Sequence, residues 1–193
     1  RFISLGISLA NLFELATDDQ IAAGPQAIYA YGAPPESLAR FGDLPTVFFD
    51  DEEHGLLVAA VPGEDRFGYF GYIKKMVLTL HNIVMMKRGR MPFHGAMTRI
   101  VLKGGASANV LMIGDTATGK SESLEAFRLM GKEHIRDLRV VADDMGSLEV
   151  AHDGTVRGYG TEIGAFVRLD DLQQGYAFGQ IDRSIFMSPQ KIN

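Results

Sequence analysis

Apolar positions along this chain fall into short strand-like runs broken by one long helical pattern. Across residues 71–87, Ile73, Val77, Leu80 and Val84 recur at steps of three and four, which predicts an amphipathic helix that Gly89 ends. Met85 and Met86 belong to its core-facing end. Upstream, residues 1–30 read as helical or mixed, with Thr17, Asp18 and Asp19 capping a short helix through Ala23 and Gly24-Pro25 stopping it. Residues 31–36 read as a loop. Residues 46–49 and 55–61 are strand-like, and the acidic run Asp50, Asp51, Glu52 and Glu53 between them suits a solvated hairpin tip better than a metal site.

Downstream the pattern predicts strands at 93–97, 98–102 and 110–113, with Lys103, Gly104 and Gly105 as a turn. A helix runs from about Lys120 to Met130, and a charged connection over 131–139 leads into a short buried strand, Val140, Val141 and Ala142. Residues 148–150 and 155–156 flank a hairpin turn at His152, Asp153 and Gly154, and residues 165–169 form a further strand before Asp170 and Asp171. The fold class is therefore α/β (mixed): a mixed sheet with packed helices around a single phosphate-type turn, not the regular βαβα alternation.

That turn is the most informative stretch. Residues 114–121 read Gly-Asp-Thr-Ala-Thr-Gly-Lys-Ser, the G-x-x-x-x-G-K-[ST] pattern of a P-loop, between an apolar strand and a helix-forming stretch. A strand ending in a glycine-rich turn that opens a helix aims successive backbone N–H groups at one spot, where the positive end of the helix dipole also sits. Gly114, Asp115, Thr116, Ala117, Thr118, Gly119, Lys120, Ser121 and Glu122 are thus the candidate nucleotide-binding residues. Lys120 reaches the β- and γ-phosphates and the Ser121 hydroxyl ligates Mg²⁺. The alternative is an ordinary strand–turn–helix.

Composition narrows the class. The chain has 193 residues, 46% apolar and 22% charged, with a net charge of −5, which fits one globular domain, or one with a small appendage, and argues against a nucleic-acid surface. The densest basic cluster, Lys87, Arg88 and Arg90, suits a solvated loop or one facing an anionic substrate. With no cysteine, disulfides, thiolate catalysis and Cys-ligated zinc are excluded. No apolar run has the length of a membrane span and no signal core is evident, so the expectation is a cytoplasmic protein with no membrane association. The start at Arg1 and the stop at Asn193 suggest a fragment. Residues 1–60 are expected as an N-terminal segment of unassigned role and 61–193 as the nucleotide- and metal-binding domain, incomplete at its C-terminus.

A cation bridging phosphates needs a second acidic element. Asp143 and Asp144, ending an apolar strand 24 residues after Lys120, supply it. Two buried neighbouring carboxylates do not both ionise cheaply, so one is available as a proton acceptor. The alternative is a β-turn with two solvated aspartates.

Residues 114–122 followed by Val141, Ala142, Asp143 and Asp144 resemble HPr kinase/phosphorylase, whose P-loop continues Gly-Lys-Ser-Glu and whose next acidic motif reads Val-Ala-Asp-Asp. Upstream, residues 69–75 (Tyr-Phe-Gly-Tyr-Ile-Lys-Lys) and 91–94 (Met-Pro-Phe-His) resemble ATP-dependent phosphoenolpyruvate carboxykinase, with its aromatic-Gly-x-x-Met-Lys-Lys and Met-Pro-Met-His motifs. The two families share a fold, and the resemblance covers about residues 65–170. It implies a phosphoenolpyruvate carboxykinase-like P-loop fold that uses ATP, Mg²⁺ and Mn²⁺. Lys75, His94 and Asp144 would hold Mn²⁺ and Ser121 the nucleotide's Mg²⁺. Lys120, His94, Asp143 and Asp144 would be the catalytic residues. Lys75 would have to be neutral to ligate, since an ammonium has no lone pair. His94 is supported by both families, because Phe93-His94-Gly95-Ala96 also resembles the kinase's His-Gly-Val-Leu strand. The chain departs from carboxykinases at Ser121 and Glu122, where they carry two threonines, and from both families at Ala117, where they carry glycine. No match exists for their substrate arginines or adenine-binding lobe.

Three functions are therefore expected in order. The first is a carboxykinase-like reaction, oxaloacetate and ATP giving phosphoenolpyruvate, ADP and CO₂. The second is an HPr-kinase-like phosphorylation of a protein or small-molecule hydroxyl, with Asp144 as base. The third is a nucleotide-binding module without turnover.

Overall fold

The computed structural model describes residues 2–44, 46–115, 118–162, 165–168 and 184–187. The fold is mixed α/β. It divides into two compact units, one drawn from the first 84 residues with the last two strands, the other comprising Met85–Glu162.

The first unit holds α1 (Phe2–Ala10), α2 (Asp18–Ala23), β1 (Ala27–Ala33), α3 (Pro35–Leu38), β2 (Val47–Asp51), β3 (Leu56–Pro62) and α4 (Phe70–Lys87) as far as Val84. α2 starts where expected. The Thr17 hydroxyl accepts the Gln20 N–H and the Gln20 side chain accepts the Thr17 N–H, a reciprocal cap, and Gly24 closes the helix at φ 81°. The three strands are ordered β1-β3-β2, with β3 parallel to β1 and antiparallel to β2. The acidic hairpin turn forms as expected, with Asp50 and Asp51 completing β2 and the Asp51 carboxylate accepting the His54 N–H. One stripe of α4 serves two clusters. Phe70 and Ile73 pack with Leu5 and Leu12, and Leu80 packs with Leu57 and Ala59. Gly89 adopts φ 75° just beyond the helix.

Two expectations are corrected, one at β1 and one at the end of α4. Residues 31–36 are not a loop: β1 runs to Ala33 because Tyr31 and Ala33 continue the ladder opposite Val61 and Pro62, with Gly32 at φ 86° absorbing the register shift. Pro35 then opens α3, a position where its missing N–H costs nothing. At the end of α4, Met85 is buried as expected, whereas Met86 is exposed.

The second unit is a five-stranded sheet plus one helix: β4 (Met91–Leu102), β5 (Ser107–Ile113), α5 (Lys120–Met130), β6 (Ile135–Ala142), β7 (Met145–Val150) and β8 (Val156–Gly160). The two strands expected at 93–97 and 98–102 are one strand, β4, with no break at Thr98. β4 is the hub. β5 pairs with it over Gly95–Val101 on one edge, while β7 and then β6 pair with it in succession on the other. Every pairing here is antiparallel, so the mixed sheet is the smaller one, and the sheet bearing the 114–121 motif is not mixed. Tight turns join most neighbours, and tight turns give antiparallel ladders. Since β5 and β6 both oppose β4, they run parallel to each other with β4 between them, and α5 makes the crossover.

Residues 131–139 are not a connection either. After a short 3-10 turn (Gly131–Glu133), β6 begins at Ile135. Arg136, Asp137 and Arg139 are exposed on it, which disguises the strand in the sequence, but the edge of β4 supplies the ladder. The core of this unit is Phe93, Met97 and Ala142, flanked by Leu111, Val141 and Leu148. The buried Thr98 hydroxyl is satisfied by the Arg139 carbonyl at 3.0 Å. Separately, β9 (Ala165–Arg168) pairs in parallel with β10 (Ser184–Met187). The strand expected at 165–169 is present over its described part, and Leu169, Asp170 and Asp171 lie outside the described residues.

Gly95 marks the tightest point of the hub: a Cβ there would run into the Met112 carbonyl of β5. Gly95→Ala is therefore expected to destabilise the protein by about 1–3 kcal/mol, as over-packing against backbone does. Urea denaturation checks this, and an unchanged midpoint would contradict so close a β4–β5 approach.

Candidate functional site

The motif residues converge on the middle of β4. His94 and Gly95 are consecutive, so their backbone groups point to opposite edges of the strand. On one edge the His94 carbonyl accepts the Gly114 N–H at 3.4 Å, where β5 ends and the motif begins. On the other, the Gly95 N–H donates to the Asp144 carbonyl at 2.9 Å, at the corner between β6 and β7. That corner is shaped by a bulge. The register moves from Met97 opposite Ala142 to Thr98 opposite Val140, leaving Val141 as the extra residue just before Asp143 and Asp144. Gly160 on β8 accommodates it, because a side chain there would collide with the Val141 carbonyl.

The side chains follow the backbone. His94 is half-buried, and its Nε2 donates to Asp144 Oδ1 at 3.0 Å. Its other ring nitrogen, Nδ1, lies 4.0 Å from Asp115 Oδ1. The Asp115 carbonyl in turn accepts from Lys120 Nζ at 2.6 Å, from Thr118 Oγ1 at 2.7 Å and from the Thr118 N–H at 3.3 Å. α5 starts after Gly119, which sits in the left-handed region at φ 85°, and no side chain among the described residues caps it. An uncapped helix start leaves N–H donors available to an anion.

The sequence-derived candidates divide cleanly. His94, Gly114, Asp115, Thr118, Gly119, Lys120 and Asp144 all belong to the second unit, and Asp115, His94 and Asp144 form one chain of neighbouring side chains. Asp143 adjoins them at the same corner. Thr116 and Ala117, and the side chains of Ser121 and Glu122, lie outside the described residues. Lys75 stands in the first unit on α4, where its side chain is exposed, while its neighbour Lys74 is the buried member of the pair. Among the described residues no three His, Asp or Glu side chains gather into a cation cage. What they supply is a two-residue pair, His94 and Asp144, one imidazole and one carboxylate, hydrogen-bonded to each other.

A supporting clamp was not legible beforehand. Arg90, just ahead of β4, reaches Glu149 on β7 at 3.2 Å and lies over the Tyr159 ring of β8 at 3.9 Å, and the Tyr159 hydroxyl donates to Glu149 at 2.6 Å. It ties β7 and β8 to the start of β4 and so helps fix the corner bearing Asp144. Only a register assignment could have revealed it, because the three residues are far apart in sequence. Among the described residues, no helix is long and apolar enough to cross a membrane.

No model of a known protein family matches this chain, and no curated protein matches it either.

The Tyr159 hydrogen bond, with the Arg90 charge behind it, holds the Glu149 carboxyl below the usual carboxylate range. A depressed carboxyl contributes stability that is complete above the ordinary glutamate value and lost as pH falls through the lowered one. The wild-type protein should therefore exceed Glu149→Gln in stability at pH 7, and the gap should close as the medium is acidified past the lowered value. Paired denaturation curves test this, and a gap constant across that window would contradict the clamp.

Proposed function

We propose that this chain binds ATP through residues 114–122 and transfers its γ-phosphoryl group in a divalent-metal-dependent reaction of the carboxykinase and HPr-kinase type. The observation that carries this reading is the convergence on β4. A glycine-rich turn opening an uncapped helix, a lysine within it, and a His94–Asp144 pair are joined to adjacent residues of one strand. An acidic corner hydrogen-bonded one residue from the motif's own anchor supports this reading over an ordinary strand–turn–helix.

In this reading the helix-start N–H groups and Lys120 hold the β- and γ-phosphates, and Lys120 leaves the Asp115 carbonyl to do so. Ser121 and Asp144, with His94, would hold Mg²⁺ and Mn²⁺, which supply charge neutralisation at the phosphates. Asp143 orients the corner beside them. Lys120 offsets negative charge as it builds on the β/γ bridge, a stabilisation greatest in the transition state. For the acceptor, the carboxykinase resemblance favours the enolate left by oxaloacetate decarboxylation.

One observation favours the kinase reading instead. Asp144 already accepts a hydrogen bond from His94, which leaves its carboxylate oriented, as a base for a hydroxyl proton must be. The proton would pass from the acceptor hydroxyl to Asp144 as the O–P bond forms and ADP departs.

Calorimetry with ATP and Mg²⁺ should register uptake by the wild-type protein, and Lys120→Ala should lower turnover by about 10²–10³-fold. Release of ADP dependent on oxaloacetate would identify the carboxykinase, and release dependent on a hydroxyl acceptor the kinase. No uptake of ATP by the folded protein would remove both.

A further inference from the structure

In the first unit, β2 is an edge strand with an apolar, unguarded rim. The order β1-β3-β2 leaves it paired with β3 alone among the described residues, and that ladder runs from Val47 opposite Ala60 to Asp51 opposite Leu56 without a bulge. Edge strands are ordinarily shielded by a bulge, a proline, a lysine or a covering element, because their unpaired N–H and C=O groups invite another strand. β2 has no bulge, proline or lysine, and its Phe48 and Phe49 are 44% and 61% exposed. Being consecutive, the two rings take opposite faces. Phe48 lies in the row of Ala59, on the side that packs against α4, and Phe49 in the row of Val58 on the other. An open apolar cavity of about 250 Å³ borders this edge, between Phe48, Leu57 and, from α4, Leu80 and Ile83. That volume is below the about 300–1,000 Å³ of a small-molecule pocket. It suits alternate side chains of a strand laid beside β2, whose remaining side chains would cover Phe49.

Charge selects the occupant. Asp50 already has a partner within the chain and Asp51 is engaged by His54, whereas Glu52 and Glu53, the next two residues, are exposed. A second copy of the chain matches poorly. Paired parallel, it sets the carboxylates of β2 against their own kind, and paired antiparallel about Phe49, it sets Asp50 and Asp51 against Phe48 and Val47. A segment that ends in lysine or arginine meets the glutamates instead. We propose that the free edge of β2 docks an extended segment of a partner protein, with apolar side chains at alternate positions and a basic residue at the end beside Glu52 and Glu53. This site lies wholly within the first unit and does not depend on the nucleotide reading.

The test is amide shift mapping of the full chain with end-capped octapeptides: three Val-Thr repeats carrying two lysines at the N-terminus or at the C-terminus, and the same pair with glutamates in place of lysines. One lysine peptide is expected to shift the amides of Val47–Asp51, with its glutamate counterpart at least about tenfold weaker. Phe48→Ser should weaken the lysine peptide by about tenfold. Glu52→Lys combined with Glu53→Lys changes only exposed turn residues and should reverse the preference in favour of the glutamate peptide. The proposal is overturned if neither lysine peptide moves the β2 amides at about 1 mM, or if lysine and glutamate peptides bind alike. It is equally overturned if sedimentation shows a dimer whose β2 amides are protected from exchange without peptide, since a second copy would then hold the edge.

Discussion

Two backbone hydrogen bonds on opposite edges of one strand organise the second unit. The His94 carbonyl receives the Gly114 N–H, and the Gly95 N–H reaches the Asp144 carbonyl. Because neighbouring residues of a strand face opposite edges, a two-residue stretch of β4 fixes both the start of the glycine-rich turn and the acidic corner. Losing either bond would leave a strand-bound donor or acceptor unsatisfied, at about 1–3 kcal/mol, and would unpin one half of the candidate site. The bulge at Val141 and the close approach at Gly95 are the local geometry that lets both halves reach the same place.

The turn also satisfies the Asp115 carbonyl from within. Lys120 caps the Asp115 carbonyl and Thr118 caps it again, so the turn holds its shape through its own side chains. In the proposed reading a phosphate would displace the ammonium from that carbonyl, an exchange that is favourable because an ammonium–phosphate contact is charge-assisted on both sides. His94 is treated similarly, lying between one carboxylate from the turn and another from the corner.

Local signals carried much of this into the sequence. The Thr17 cap, the helix from Lys120 to Met130, the hairpin at His152–Gly154 and the α4 stripe through Ile73 and Leu80 all have short-range causes, and all were legible. Features set by pairing were not. β6 looked like a charged connection because its exposed residues are charged, while its strand character comes from the edge of β4. β1 overran an apparent loop because β3 offered a parallel ladder. For the site, residue types and order pointed to His94, Asp144 and the 114–121 turn. The contact between Asp115 and His94, the Arg90–Glu149–Tyr159 clamp and the burial of Lys74 in preference to Lys75 depend on register and helix phase, which a string of letters does not contain.

In the proposed function the turn, His94 and Asp144 surround one triphosphate. Paramagnetic broadening by Mn²⁺–ATP tests it most directly. At substoichiometric Mn²⁺–ATP, the amide signals of Gly95, Gly114, Gly119, Lys120 and Asp144 should broaden together. Leu102 lies eight residues along β4 from His94, roughly 26 Å at strand rise, and should stay sharp. Broadening concentrated at the Leu102 end, or Gly114 broadened while Gly95 and Asp144 stay sharp, would contradict a single site.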